Sequence, residues 1–185
     1  MGRFGYGFVM GWLLLAGALF LAAMGGFLPV AATDAPLPLE KEFAGMAVGS
    51  AAARRAPKTI PIQPTEANLA AGARLYRDHC ALCHGLPGRS DSPVAAGLSP
   101  PPPRLLEKGG MVTDDPPTVT FWKASNGIRL TGMPAFQASL SSDELWQVSL
   151  FLANADRLPP SAKQALAPPQ PADNPAAERP RRKPQ

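Results

Sequence analysis

The sequence is poor in the residues that bind metals and make cross-links, with two cysteines and two histidines in 185 residues. Both cysteines, Cys80 and Cys83, fall in one short run, which leaves none for a structural disulfide. A structural zinc needs four nitrogen or sulfur ligands, and the chain offers only Cys80, Cys83, His79 and His84, crowded into six residues. That spacing suits tetrahedral closure badly. The alternating strand and helix pattern that frames a thioredoxin-type dithiol is also missing around them. Positive charge is short where a nucleic-acid module would need it: Thr65 to Leu158 holds eight Lys/Arg against nine Asp/Glu. The surplus behind the net charge of +4 sits in the appendages, with five against two from Pro159 onward. A nucleic-acid reading is weakened accordingly, because it wants the cations on one face of a folded module.

Charge is lacking altogether from Phe4 to Ala32, 29 residues. Such a run is long enough to cross a bilayer as a helix. Val30-Ala31-Ala32 would pass as a small-residue cleavage site, but the apolar region of a signal peptide is usually about 7–15 residues. The retained anchor is therefore the preferred reading. Arg3 on one side, against Asp34, Glu40 and Glu42 on the other, leaves the N-terminus in the cytoplasm.

What the sequence does contain is Cys80-Ala81-Leu82-Cys83-His84, the C-x-x-C-H signature of c-type haem attachment. Each thiol can add across a haem vinyl group, and the histidine directly after the second thiol is placed to bind the iron from one side. His79, next to Cys80, points about 100° away on a helix and is expected to face solvent. Both readings of the N-terminus deliver this motif across the membrane, where c-type haem is attached in bacteria.

The 23 prolines fall mostly before residue 65, around 100 to 117 and after 158, leaving a compact stretch of 94 residues between Thr65 and Leu158. A stretch of this size buries a core only with difficulty, and a covalent haem would add apolar surface to it. Residues 34–64 read as a periplasmic linker. Leu39, Phe43, Met46 and Ala47 recur there at the spacing of a short amphipathic helix, and Pro57, Pro61 and Pro64 impose an extended, semi-rigid spacer. Thr65 is placed to cap a helix carrying Leu69, Gly72, Ala73 and Tyr76 on one face. Gly72 in mid-helix signals close approach of another backbone, and the partner is expected to be a last helix. That helix is opened by a Ser141/Glu144 capping box with a Leu140–Leu145 staple. Asp115-Pro116-Pro117 reads as the start of a further helix and Asn126-Gly127 as its end. Trp122 between them lines either the haem pocket or the core. Residues 159–185 form a proline-rich basic tail with too few apolar residues to fold.

Gly72-Ala73-Arg74-Leu75-Tyr76, Cys80 to Gly85, Asn126-Gly127-Ile128-Arg129-Leu130-Thr131-Gly132-Met133-Pro134-Ala135-Phe136 and Asp143-Glu144-Leu145-Trp146 together resemble class I cytochromes c. Among these they resemble the short bacterial type related to the haem c subunits of cbb3-type oxidases. The resemblance covers about residues 66–158. It implies an all-α fold of three to five helices around one covalently bound haem, here preceded by one transmembrane helix. Residues 1–33 are then the cytoplasmic N-terminus and anchor, and 65–158 the cytochrome c domain.

The resemblance also implies that Met133 is the second axial ligand opposite His84. The residues agree with this. No histidine follows His84, and Met133 sits between Gly132 and Pro134, whereas Met111, the other methionine of the domain, follows Gly109-Gly110 without such a frame. The analogy further suggests that a carbonyl near Pro102 or Pro103 accepts the Nδ1 proton of His84. Arg104 and Arg129 are candidates for haem propionates or plain surface cations. The expected cofactor-binding set is thus Cys80, Cys83, His84 and Met133, with His84 and Met133 on the metal. The expected protein is a single-pass electron carrier of the bacterial inner membrane, with its haem domain periplasmic and redox proteins as donor and acceptor. Neither nucleic acid nor a small-molecule substrate is expected. The alternatives are a haem enzyme or gas-sensing module with a labile sixth ligand, and a fixed subunit of an oxidase or dehydrogenase.

Overall fold

The computed structural model describes residues 2–89, 91–107 and 114–167, and all the regular structure among them is helical. The chain divides into two compact units between Gly45 and Met46. In the first, α1 (Gly2–Met24) contains a stretch, Gly5–Met24, with a mean hydropathy of 2.1 and no buried residue. By length and composition it can cross a membrane. It ends at Gly26, whose φ of 73° lets the Gly25 and Phe27 amides turn back onto the Leu21 and Ala22 carbonyls.

Helix α2 (Glu40–Arg55) follows, with Glu40 and Glu42 in its first turn and Arg54 and Arg55 in its last, each sign at the end the helix dipole favours. The expected helix is present, but its packed face differs from expectation. Leu39, Phe43 and Met46 are exposed, while Ala52 and Ala56 are buried. Ala52 lies about 180° around the helix from Phe43.

The second unit is built on α3 (Glu66–Leu75), capped by the Thr65 hydroxyl, which accepts the Asn68 amide at 3.3 Å. This helix runs through one π-helical turn, Tyr76–Cys80, into α4 (Ala81–His84), where the Ala81 amide reaches back to the Tyr76 carbonyl. Helix α5 (Pro93–Ala96) is one short turn capped by Ser92. Next, α6 (Pro117–Asn126) stops at Gly127, whose φ of 65° suits glycine. A 3₁₀ turn at Phe136–Ala138 precedes α7 (Ser142–Ala153), which opens on the expected reciprocal Ser141/Glu144 box. The last described helix is α8 (Pro160–Ala165).

Helices α3 and α7 cross where Gly72 predicted. A Cβ on Gly72 would lie 2.7 Å from both the Phe151 Cβ and the Gln147 carbonyl carbon. Around that crossing Leu69, Ala73, Tyr76, Val148, Phe151 and Leu152 form the core, with the Tyr76 and Phe151 rings 5.6 Å apart. Phe121 of α6 stacks on Trp146 of α7 at 4.1 Å, which fixes α6 to that helix.

The folded unit is longer at both ends than Thr65–Leu158. Upstream, Ile62 packs on the core and Ala56 is buried, so the proline-rich stretch is a strap along the domain rather than a free spacer. Proline keeps it extended, yet the apolar residue between prolines still gains by leaving water. Downstream, the expected disorder from Pro159 is corrected for residues 159–167. Pro160 starts α8 in its first turn, where the amide hydrogen has no partner within the helix. Leu158 and Ala162 join the core, the Ser161 hydroxyl donates to Glu66 at 2.6 Å, and Arg77 donates to the carbonyls of Ala165 at 3.0 Å and Ala167 at 3.2 Å. The basic run Arg179 to Lys183 and Met111 lie outside the described residues.

Candidate functional site

Cys80, Cys83 and His84 come from one unbroken helical path, and the core holds that path from beneath. Tyr76 is fully buried and its hydroxyl donates to the Gly85 carbonyl at 2.8 Å, bridging the π turn to the residue just after His84. Burial raises the Tyr76 hydroxyl well above its ordinary range, so it stays a neutral donor. Gly85 ends α4 with a φ of 74°, and its amide closes on the Ala81 carbonyl. Sequence reading placed Tyr76 on the apolar face and missed its polar role. The available signal was general: a tyrosine on a buried face needs a partner for its hydroxyl.

Both cysteines are unbridged and partly buried. Burial, with the Cys83 thiol as the smaller cause, pushes the Cys80 thiol up to about 12. The His84 ring lies with Nδ1 2.8 Å from the Pro103 carbonyl. A carbonyl can only accept, so Nδ1 carries the proton and Nε2 is left with its lone pair. Burial lowers the His84 pKa against the opposing effect of that hydrogen bond, which favours the neutral ring a metal requires.

Met133 sits half-buried in the loop after α6, and the loop is pinned at its backbone. The Met133 amide donates to the Thr131 hydroxyl at 3.1 Å, and its carbonyl accepts from Ile128 at 3.2 Å. Gly127 is needed there, since a Cβ on it would come within 2.7 Å of the Met133 carbonyl oxygen. Gly132 lies against the Leu98 side chain, which ties this loop to the segment after α5.

His79 is exposed as expected, with its ring edge-on to Phe136 at 6.4 Å. Arg129 is exposed too, whereas Arg104 is held by protein groups on every side: Asp91, Glu107 and the carbonyls of Leu86 and Arg89. Trp122 and Ser125 line a cleft of about 420 Å³ together with Arg55 at the end of α2 and Pro57 of the strap. None of Cys80, Cys83, His84 or Met133 lines it.

Residues 67–152 match the family described as cytochrome c oxidase, cbb3-type, subunit III. This segment is a c-type cytochrome domain. No curated protein matches the chain. Among solved structures it is similar to a chain of the Kuenenia stuttgartiensis reducing HAO-like protein complex, at 30% identity over 51% of this chain and 46% of that one, with a TM-score of 0.42. The chain thus spans less than half the length of that protein.

A cytochrome domain of this family carries covalently bound haem c and its iron, and transfers electrons. The donor chemistry on α4 fits that group: two unbridged thiols and one neutral imidazole whose Nδ1 is already occupied. Among the described residues no three His, Cys, Asp or Glu side chains converge as a metal cage. The same side chains could not close a zinc site without rearrangement.

Proposed function

We propose that the protein is a membrane-anchored mono-haem cytochrome that passes electrons between redox proteins. In this reading Cys80 and Cys83 would attach the haem, and His84 Nε2 and the Met133 thioether would hold its iron. The observation that carries it is the His84 ring, oriented by the Pro103 carbonyl with Nε2 free beside two unpaired thiols. The haem, when bound, supplies one-electron iron chemistry. The chain's part is to orient the imidazole, to keep it neutral and to hold the Met133 backbone in a pinned loop. His84 and Met133 together on the iron would leave no site for a substrate and would raise the reduction potential relative to nitrogenous ligation.

Gly5–Met24 is read as the single anchor in a bacterial inner membrane, with Arg3 keeping the N-terminus cytoplasmic and the haem domain periplasmic. The partners are then a redox donor and acceptor reaching the domain from the periplasm or the membrane.

The test is ligand replacement. The Cys80→Ala, Cys83→Ala double variant should lose colour on acid–acetone extraction. The oxidised wild type should show the weak far-red sulfur-to-iron band, and its reduced form should bind carbon monoxide slowly. Met133→Ala should abolish the band, open the iron to carbon monoxide and lower the potential. Fast carbon monoxide binding by the wild type would favour a haem enzyme or gas-sensing module instead. Stoichiometric co-purification with oxidase or dehydrogenase subunits would favour a fixed subunit.

A further inference from the structure

The side chain of Arg104 satisfies none of the roles expected of a surface cation. Only 22% exposed, it has all three nitrogens engaged: Nε is paired with Glu107 at 2.6 Å, Nη1 with Asp91 at 2.5 Å, and Nη2 donates to the Arg89 carbonyl at 2.7 Å and the Leu86 carbonyl at 3.2 Å. The guanidinium also lies on Gly85, where an added Cβ would meet Cζ and Nη1 at 2.9 Å. Its backbone nitrogen belongs to the peptide whose carbonyl, that of Pro103, accepts from His84. Two contacts therefore run side by side. His84 meets Pro103, and the residues after His84 meet the residue after Pro103.

We propose that Arg104 is a positioning residue for His84, holding the Pro103 carbonyl against His84 Nδ1 by clamping residues 85–89, Asp91 and the turn to Glu107 onto one guanidinium. The inference rests on the reading that His84 binds the iron. The ion pairs are not the point, because Asp91 and Glu107 are 59% and 55% exposed and surface pairs contribute little. The fork is. Its donors fix the Arg104 backbone from three directions, which the single ammonium of lysine cannot do. A firm Nδ1–H···O bond makes the imidazole a stronger donor and favours ferric iron. Slackening the bond should therefore raise the midpoint potential.

The experiment uses the full-length holoprotein. Arg104→Lys keeps the charge and removes the fork. Its ferrous, diamagnetic form should exchange the His84 Nδ1 proton with solvent about tenfold faster than wild type, and its midpoint potential should rise. The visible spectrum should still report both axial ligands. Should Arg104→Lys fail to fold, Asp91→Ala with Glu107→Ala leaves Arg104 in place but takes away the acceptors of Nη1 and Nε, and the same proton should again exchange faster. Wild-type exchange in every variant that folds, or a fall in the potential of Arg104→Lys, overturns the proposal while leaving His84 ligation intact. A wild type with no ring-current-shifted Nδ1 proton of an iron-bound imidazole overturns both.

Discussion

At the scale of single residues, polar atoms at buried positions do the positioning. The Tyr76 hydroxyl is the clearest case, since a phenol with no exposure survives in the core only because it has the Gly85 carbonyl to donate to. Tyr76→Phe keeps the ring against Phe151 and removes one donor, leaving a carbonyl unpaired in a partly buried place. The expected loss is about 1–2 kcal/mol, read as a lower denaturant midpoint, with the haem spectrum unchanged. A spectrum that changed as much as the stability would mean that Tyr76 acts on the iron ligands themselves.

At the scale of elements, helix ends decide where the site-bearing segments start and stop. Thr65 starts α3, Gly85 ends α4, Gly127 ends α6, and the Ser141/Glu144 box starts α7. The Glu144 carboxyl is held below its ordinary range, first by the Ser141 amide and then by the Ser141 hydroxyl. A carboxylate depressed in the folded state adds stability above its unfolded pKa, about 4.3, and loses it as pH falls through the lower folded value. Glu144→Gln preserves the shape of the box without its charge. Wild type should therefore be more stable than Glu144→Gln at pH 7, and thermal melts of the two should converge below about pH 4. A gap independent of pH would show that the charge contributes nothing. The π turn at Tyr76–Cys80 belongs to this scale as well. It carries no sequence signature, and it joins α3 to the helix that bears the second thiol and His84.

At the scale of the whole molecule, the cytochrome domain is completed by segments outside its family match. The end of α2 contributes buried Ala52, the strap after it buried Ala56 and the core-packed Ile62, and α8 contributes Ala162. A fragment limited to residues 65–158 should bind haem yet melt roughly 10 °C or more below one spanning 46–167, because each kcal/mol shifts a domain of this size by about 4–8 °C. Equal melting temperatures would return the strap to the status of a spacer. The apolar helix is tested in the same terms: the full chain should fractionate with membranes and resist high-salt washing, and intact mass should retain residues 4–30. A soluble form beginning near Thr33 would reassign α1 as a cleaved leader.

The site motif, the α3–α7 crossing at Gly72, the Ser141 box, the Gly127 stop and the candidate span were all legible in the sequence, because each depends on a residue type with a local preference. Glycine permits close approach, a serine hydroxyl caps, and a long uncharged run needs no partner to be recognised. What only the tertiary structure decided depends on partners distant in the chain. The strap and α8 are too short and polar to announce themselves, and they become ordered by covering a core assembled from α3 and α7. The same holds for the Tyr76 hydroxyl and for Arg104. Only Glu107 is a near neighbour of Arg104 in sequence; the Gly85 carbonyl for Tyr76, and Leu86, Arg89 and Asp91 for Arg104, converge only once the segment after His84 has folded back.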